Sequence, residues 1–96
     1  MAVLMTQDIP ATPDQYDEVN QKMGVTDNPP DGLLIHTARQ SGDGMRIVDV
    51  WESEDAYNKF RDAQLLEAVE AVLGPLPEGA EPNTEFQELH NVISGS

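Results

Sequence analysis

Apolar positions change their period several times along this chain, and each change marks an element. Residues 2–7 (AVLMTQ) are apolar on both parities, Ala2 and Leu4 against Val3 and Met5, and run on to Pro10. They predict a strand covered on both faces. A helix follows. Thr12 is placed to cap it, Pro13 takes the first helical position, Gln15 completes a T-x-x-Q capping box, and Asp14 suits the positive end of the helix dipole. Tyr16, Val19 and Met23 then recur at helical spacing, and Gly24 offers a left-handed stop. Asp17, Glu18, Gln21 and Lys22 take the side facing water.

The stretch TDNPPDG (26–32) is rich in turn residues. LLIHTAR (33–39) predicts a second strand, QSGDG (40–44) a hairpin loop, and MRIVDVW (45–51) a third strand. Gly42-Asp43-Gly44 joins two strands and opens no helix, which argues against a phosphate-binding loop. Ser53 caps the second helix, with Glu54 and Asp55 in its first turn. Its buried side runs through Tyr57, Phe60, Leu65, Leu66, Val69, Val72 and Leu73. The register drifts near Ala63, which predicts a kink or break there. Gly74-Pro75 ends the helix, the proline-rich loop 75–84 has no periodicity, and EFQELHNVI (85–93) predicts a fourth strand.

The order β-α-β-β-α-β predicts a single α+β domain over residues 1–96 of the ferredoxin-like kind. Right-handed crossovers put both helices on one face of a four-stranded antiparallel sheet with strand order 4-1-3-2. Two helices cover one face only, and a sheet with one wet face alternates cleanly. Here Leu34 and Ala38 oppose Leu33 and Ile35, and Val48 and Val50 oppose Ile47 and Trp51. The economical cover for the second face is a second copy, giving a homodimer in which two sheets close into an α/β barrel. At this size the chain buries only about 60–65% of its unfolded surface, so a partner subunit adds materially to stability.

Composition narrows the partners. Eighteen acids against five bases give a net charge of −13, and the bases are scattered, so nucleic acid and anionic membrane surfaces are poor partners. The acidity reads as a solvated surface, since no D-x-D-x-D-G calcium loop is present. There is no cysteine, hence no thiolate site, disulfide or cysteine nucleophile. MAVLMTQDIP lacks the basic region of a signal peptide and no run approaches the roughly 18 apolar residues of a membrane span, so a soluble cytoplasmic protein is expected.

The unit from Ile47 through Trp51-Glu52-Ser53-Glu54-Asp55-Ala56-Tyr57 to Phe60 resembles the dimeric α/β-barrel proteins related to antibiotic biosynthesis monooxygenases. The element order extends the resemblance over essentially the whole chain. GLLIHTAR, RIVDVWES and ELHNV look closer still to small uncharacterised actinobacterial proteins. The resemblance implies a homodimer with a pocket in each protomer between helices and sheet. It also implies chemistry without a bound cofactor, such as oxidation of anthrones to quinones or cyclisation of polyketides. Haem-degrading relatives carry a helix tryptophan and a histidine where this chain has Phe60 and Glu70, so the resemblance does not extend to them.

Within that frame His36 is the candidate general base, able to take a proton from a phenol or an anthrone carbon and leave a carbanion that reduces oxygen. A structural histidine bonded to a neighbouring strand or seated at a dimer seam is the bland alternative. His90 carries the same two readings, with Glu88 on its parity as a candidate orienting carboxylate. No metal is expected: the two histidines lie on opposite edge strands, would meet only across a dimer, and would need a third ligand. Trp51 either stacks on a flat ligand or closes the core. Tyr16, Asn20 and Met23 share one side of the first helix, with Asn20 an oxyanion donor or a surface residue. Met5 and Met45 shape the pocket. Arg46 binds a ligand carboxylate or pairs with one of the many acids. Two functions remain open: a cofactor-independent monooxygenase or cyclase acting on a small aromatic or polyketide-like substrate, and a non-catalytic dimeric module that binds a small ligand or a protein.

Overall fold

The computed structural model describes residues 2–75 and 83–93. Strand β1 (Val3–Ile9) leads to helix α1 (Pro13–Met23), then the hairpin β2 (Leu33–Ser41) and β3 (Gly44–Trp51). Helix α2 (Glu54–Phe60) passes through a π-helical turn, Arg61–Leu65, into α3 (Leu66–Leu73), and β4 (Asn83–Glu88) closes the order. The sheet is antiparallel throughout and runs β2-β3-β1-β4, the predicted 4-1-3-2 order read from the other edge.

The helix boundaries form where the sequence provides caps. Gln15 N–H donates to Thr12 Oγ1 at 3.2 Å while Thr12 N–H donates to Gln15 Oε1 at 2.9 Å, and Gly24 closes α1 in the left-handed region with φ 66°. Ser53 Oγ accepts from Ala56 N–H at 3.1 Å to start α2. The drift near Ala63 is resolved by the π-helical turn: its wider winding absorbs the extra residue, so that Tyr57 and Leu65, then Ala68 and Val69, all turn inward.

The core lies between the sheet and the helices. Met5, Ile47, Trp51 and Tyr57 form its centre, with Tyr16, Phe60 and Phe86 packed around them. Trp51 meets Tyr57 edge-on and Phe60 at a tilt, both with centroids 5.5 Å apart. In β3 every second residue, Met45, Ile47, Asp49 and Trp51, is buried on this side, while Arg46, Val48 and Val50 take the other.

Two details depart from the expected pattern. First, the register of β2 on β3 shifts between Leu33 and Ile35, so Leu34 is the extra residue of a bulge. Leu33 opposite Trp51 and His36 opposite Asp49 therefore both point to the helices, although their parities differ. Part of the mixed pattern in this strand is thus a bulge and needs no second layer to explain it. Second, β4 begins at Asn83 and stops at Glu88 instead of spanning 85–93. Its partner β1 begins there: Val3 pairs Glu88, Leu89 N–H reaches Ala2 O, and among the described residues no strand pairs with the chain beyond. Of loop 75–84, residues 76–82 lie outside the described residues. No helix among the described residues is long and apolar enough to cross a membrane.

Candidate active site

A cavity of about 1130 Å3 opens between the sheet and the helices. Its wall is largely apolar, with Trp51, Met5 and Phe86 rising from the sheet and Val19, Met23 and Leu65 descending from the helices. That is larger than most small-molecule sites, which run roughly 300–1,000 Å3.

The chemistry on this wall starts from Asp49. Alternation turns it inward between Ile47 and Trp51, where its side chain is only 5% exposed. A carboxylate buried like this needs donors. It has three: His36 Nδ1–H at 2.7 Å and the Thr37 backbone N–H at 3.4 Å on Oδ1, and Trp51 Nε1–H at 3.2 Å on Oδ2. Since a carboxylate only accepts, Nδ1 of His36 carries a hydrogen, and in the tautomer this selects Nε2 is the nitrogen with a lone pair. The Tyr16 hydroxyl, brought over from α1, hydrogen-bonds that nitrogen, and the two rings lie nearly parallel, 13° apart. Asp49, His36 and Tyr16 form one hydrogen-bonded series from the sheet interior to the cavity.

Burial pushes the Tyr16 phenol above its ordinary value, with the charges of Asp49 and Asp17 adding to the effect, against a hydrogen bond with Asn20 one helical turn away. Tyr16 therefore stays a neutral donor at physiological pH. Asn20 and Met23 line the cavity beside it, on the same side of α1.

Of the residues singled out in the sequence, His36, Tyr16, Asn20, Met23, Trp51 and Met5 meet at this cavity, and Met45 is buried away from it. Arg46 does not reach it. It projects from the opposite sheet face and holds Asp8 through a two-point ion pair, Nε to Oδ1 at 2.8 Å and Nη2 to Oδ2 at 3.1 Å. This is the pairing alternative, and a role for Arg46 in binding a ligand inside this cavity is corrected. His90 is corrected likewise: β4 ends before it, it is exposed beyond the strand, and it does not line the cavity.

Sequence reasoning passed over two residues, Asp49 and Gln7. Both had a legible signal, a polar side chain at an inward position of an otherwise apolar face. They are the two polar residues buried among those described. Gln7 Nε2 donates to Tyr57 Oη at 2.8 Å and to Thr84 Oγ1 at 2.9 Å, and all three groups line the same cavity.

No protein-family model matches the chain, and no curated protein matches its sequence. Solved structures do share its fold. A protein of unknown function from Nitrosomonas europaea superposes with a TM-score of 0.69 at 19% identity, over 99% of this chain and 95% of that one. A candidate antibiotic biosynthesis monooxygenase from Caulobacter crescentus gives 0.64 at 16% identity, over 94% and 91%. SnoaB, a cofactor-independent oxygenase from Streptomyces nogalater, gives 0.57 at 14% identity, over 98% and 97%. At these identities the likeness is one of fold, and it spans nearly the whole of each chain.

Proposed function

We propose that this protein is a cofactor-independent monooxygenase or cyclase acting on a small aromatic or polyketide-like substrate held between its sheet and helices. The observation that carries the reading is the Asp49–His36–Tyr16 series on the wall of a large, mainly apolar cavity. The fold shared with SnoaB agrees with it.

In this reading the substrate presents an acidic C–H or O–H to His36 Nε2 in place of the Tyr16 hydroxyl. His36 takes the proton, and Asp49 stabilises the imidazolium and holds the ring in the accepting tautomer. The resulting carbanion passes one electron to dioxygen. Superoxide and the substrate radical combine to form a C–O bond, and the peroxide anion recovers the proton from His36. Loss of water from the hydroperoxide leaves a ketone, so a methylene and one dioxygen yield a carbonyl and one water, with no external reductant. Tyr16, kept neutral, and Asn20 donate hydrogen bonds to the enolate oxygen as it gains charge. The same enolate attacking a carbonyl within a polyketide chain would give the cyclase outcome.

The working unit in this proposal is a homodimer. The sheet face turned from the helices carries Val48 and Val50, and at its β2 edge Ile35 is 38% exposed beside the bulged Leu34 at 45%. Such a surface favours a second copy over water.

The test is oxygen consumption with a panel of anthrones and hydroquinones, native protein against His36→Ala. Enzyme-dependent uptake that falls at least about 100-fold in the variant, with an unchanged melting temperature, supports the proposal. If no member of the panel is consumed above its uncatalysed rate, while ligands still bind, the non-catalytic ligand-binding module replaces it.

A further inference from the structure

The two buried polar residues do not sit together. Asp49 is on β3 and works through His36 of β2, toward one edge of the sheet; Gln7 is on β1 and works with Thr84 of β4, toward the other. From Gln7 to His36 is two strand spacings across and one two-residue step along, on the order of 12 Å between Cα atoms. Between them the register places Ile47 of β3 and Met5 of β1, which gives the cavity an apolar floor with a polar group at each end.

The end formed by Gln7 has a definite chemical character. Its amide, a phenol and an aliphatic hydroxyl are all neutral. Tyr57 is 2% exposed and Gln7 6%, so the cluster is desolvated yet borders the cavity. Gln7 Nε2 donates to the Tyr57 oxygen, and a hydroxyl that accepts a hydrogen bond becomes a better donor through its own hydrogen. That hydrogen rotates about the C–O bond, so it can turn from Thr84, a partner of the same hydroxyl, to an incoming acceptor while the Gln7 bond stays in place. Arg61, a cation on the cavity wall, is engaged by Asp62 at 3.1 Å.

We infer that Gln7, Tyr57 and Thr84 form a second binding pole, which takes a neutral oxygen substituent of the ligand, a carbonyl or a phenol, at the end of the molecule remote from His36. The inference rests on the reading of the cavity as a site for small aromatic molecules and adds a specificity rule to it. The ligand carries two oxygen functions at opposite ends of a flat apolar body, one titrated at His36 and one held uncharged at Tyr57. A carboxylate or phosphate at the second end is disfavoured, because the cation that acts on Tyr57, Arg61, is already paired with Asp62 and the chain carries a net charge of −13.

Isothermal titration calorimetry tests the rule without turnover. The probes are naphthalene-2,6-diol, with hydroxyls at opposite ends, 2-naphthol, with one, and 6-hydroxy-2-naphthoate, with a carboxylate at the second end. In the native protein the diol should bind about five-fold tighter than the mono-ol, the value of one neutral hydrogen bond, and the carboxylate weaker than either. Tyr57→Phe and Gln7→Leu should each bring the diol-to-mono-ol ratio close to one. Using the ratio keeps the answer independent of stability, and the second variant serves if the first does not fold. A native ratio near one, or a ratio that survives both substitutions, overturns the second pole and leaves the aromatic cavity standing. Failure of all three probes to bind overturns both the pole and the cavity reading on which it rests.

Discussion

Replacing Asp49 by asparagine (Asp49→Asn) removes one charge and almost no volume, and the structure determines which way the new amide must face. Trp51 Nε1–H, on a residue 1% exposed, donates to Asp49 Oδ2 at 3.2 Å and has to keep an acceptor. The carbonyl of the new amide therefore turns to Trp51 and its NH2 turns to His36. An NH2 facing Nδ1 favours the opposite tautomer, in which Nδ1 accepts and Nε2 carries the hydrogen. The opposite orientation would forfeit the Trp51 bond, whereas this one gives up only the long 3.4 Å contact from the Thr37 backbone N–H, a bias of about 1 kcal/mol. That leaves about one ring in six able to accept a proton at Nε2. Loss of the carboxylate's attraction for the imidazolium formed on proton transfer slows that remainder further, bringing the total to about 20- to 200-fold in kcat. Nitrogen NMR of the histidine ring reads the tautomer directly, without a substrate, and steady-state oxygen uptake reads the rate. A variant that keeps its hydrogen on Nδ1, or turns over within about five-fold of the native rate, would refute the role assigned to Asp49.

Three further outcomes follow from the same geometry. Gly32→Ala should destabilise the fold by at least about 1–2 kcal/mol in urea unfolding, because Gly32 has φ 87° and its new Cβ would lie 2.6 Å from Ala56 Cβ. Alkaline pH should unfold the protein progressively. Burial raises both tyrosines, Tyr16 and Tyr57, above the ordinary 10.0, so the folded chain holds these protons more tightly than the unfolded one. Stability is then intact below pH 10 and is lost as the pH rises through the folded values, which a pH series of thermal melts will show. Ile35→Lys, on the sheet face away from the cavity, should convert the proposed homodimer to monomers in sedimentation velocity, and an unchanged mass would exclude this face as the contact.

Much of the fold was legible because local signals and long-range packing agree. The capping box at Thr12, the cap at Ser53 and the left-handed Gly24 set helix ends by chemistry contained within a few residues. The drift near Ala63 was legible as an irregularity, and its form follows from the demand that Tyr57 and Val69 both face the core. The end of β4 was not legible, because it depends on where β1 begins. The sequence ELHNVI extends well enough alone, but a strand persists only as far as its neighbour offers backbone partners.

The site illustrates a different limit. His36 could be picked out as a titratable group in an apolar strand, yet its partner could not be reached by counting along β2, because the bulge at Leu34 breaks the parity that such counting assumes. With regular alternation Leu33 and His36 would face opposite sides; in the structure both face the cavity, and His36 lands opposite Asp49. The bulge therefore lets one short strand add a leucine to the core beside Trp51 and still aim the histidine at the buried carboxylate one strand over. Asp49 itself was visible as an acid at an inward position between Ile47 and Trp51. A buried carboxylate is costly unless donors surround it, so an acid in such a place implies at least one donor nearby. Two of its donors come from β2 and one from two residues along β3, which is why the pair His36–Asp49 emerges only once the hairpin register is known.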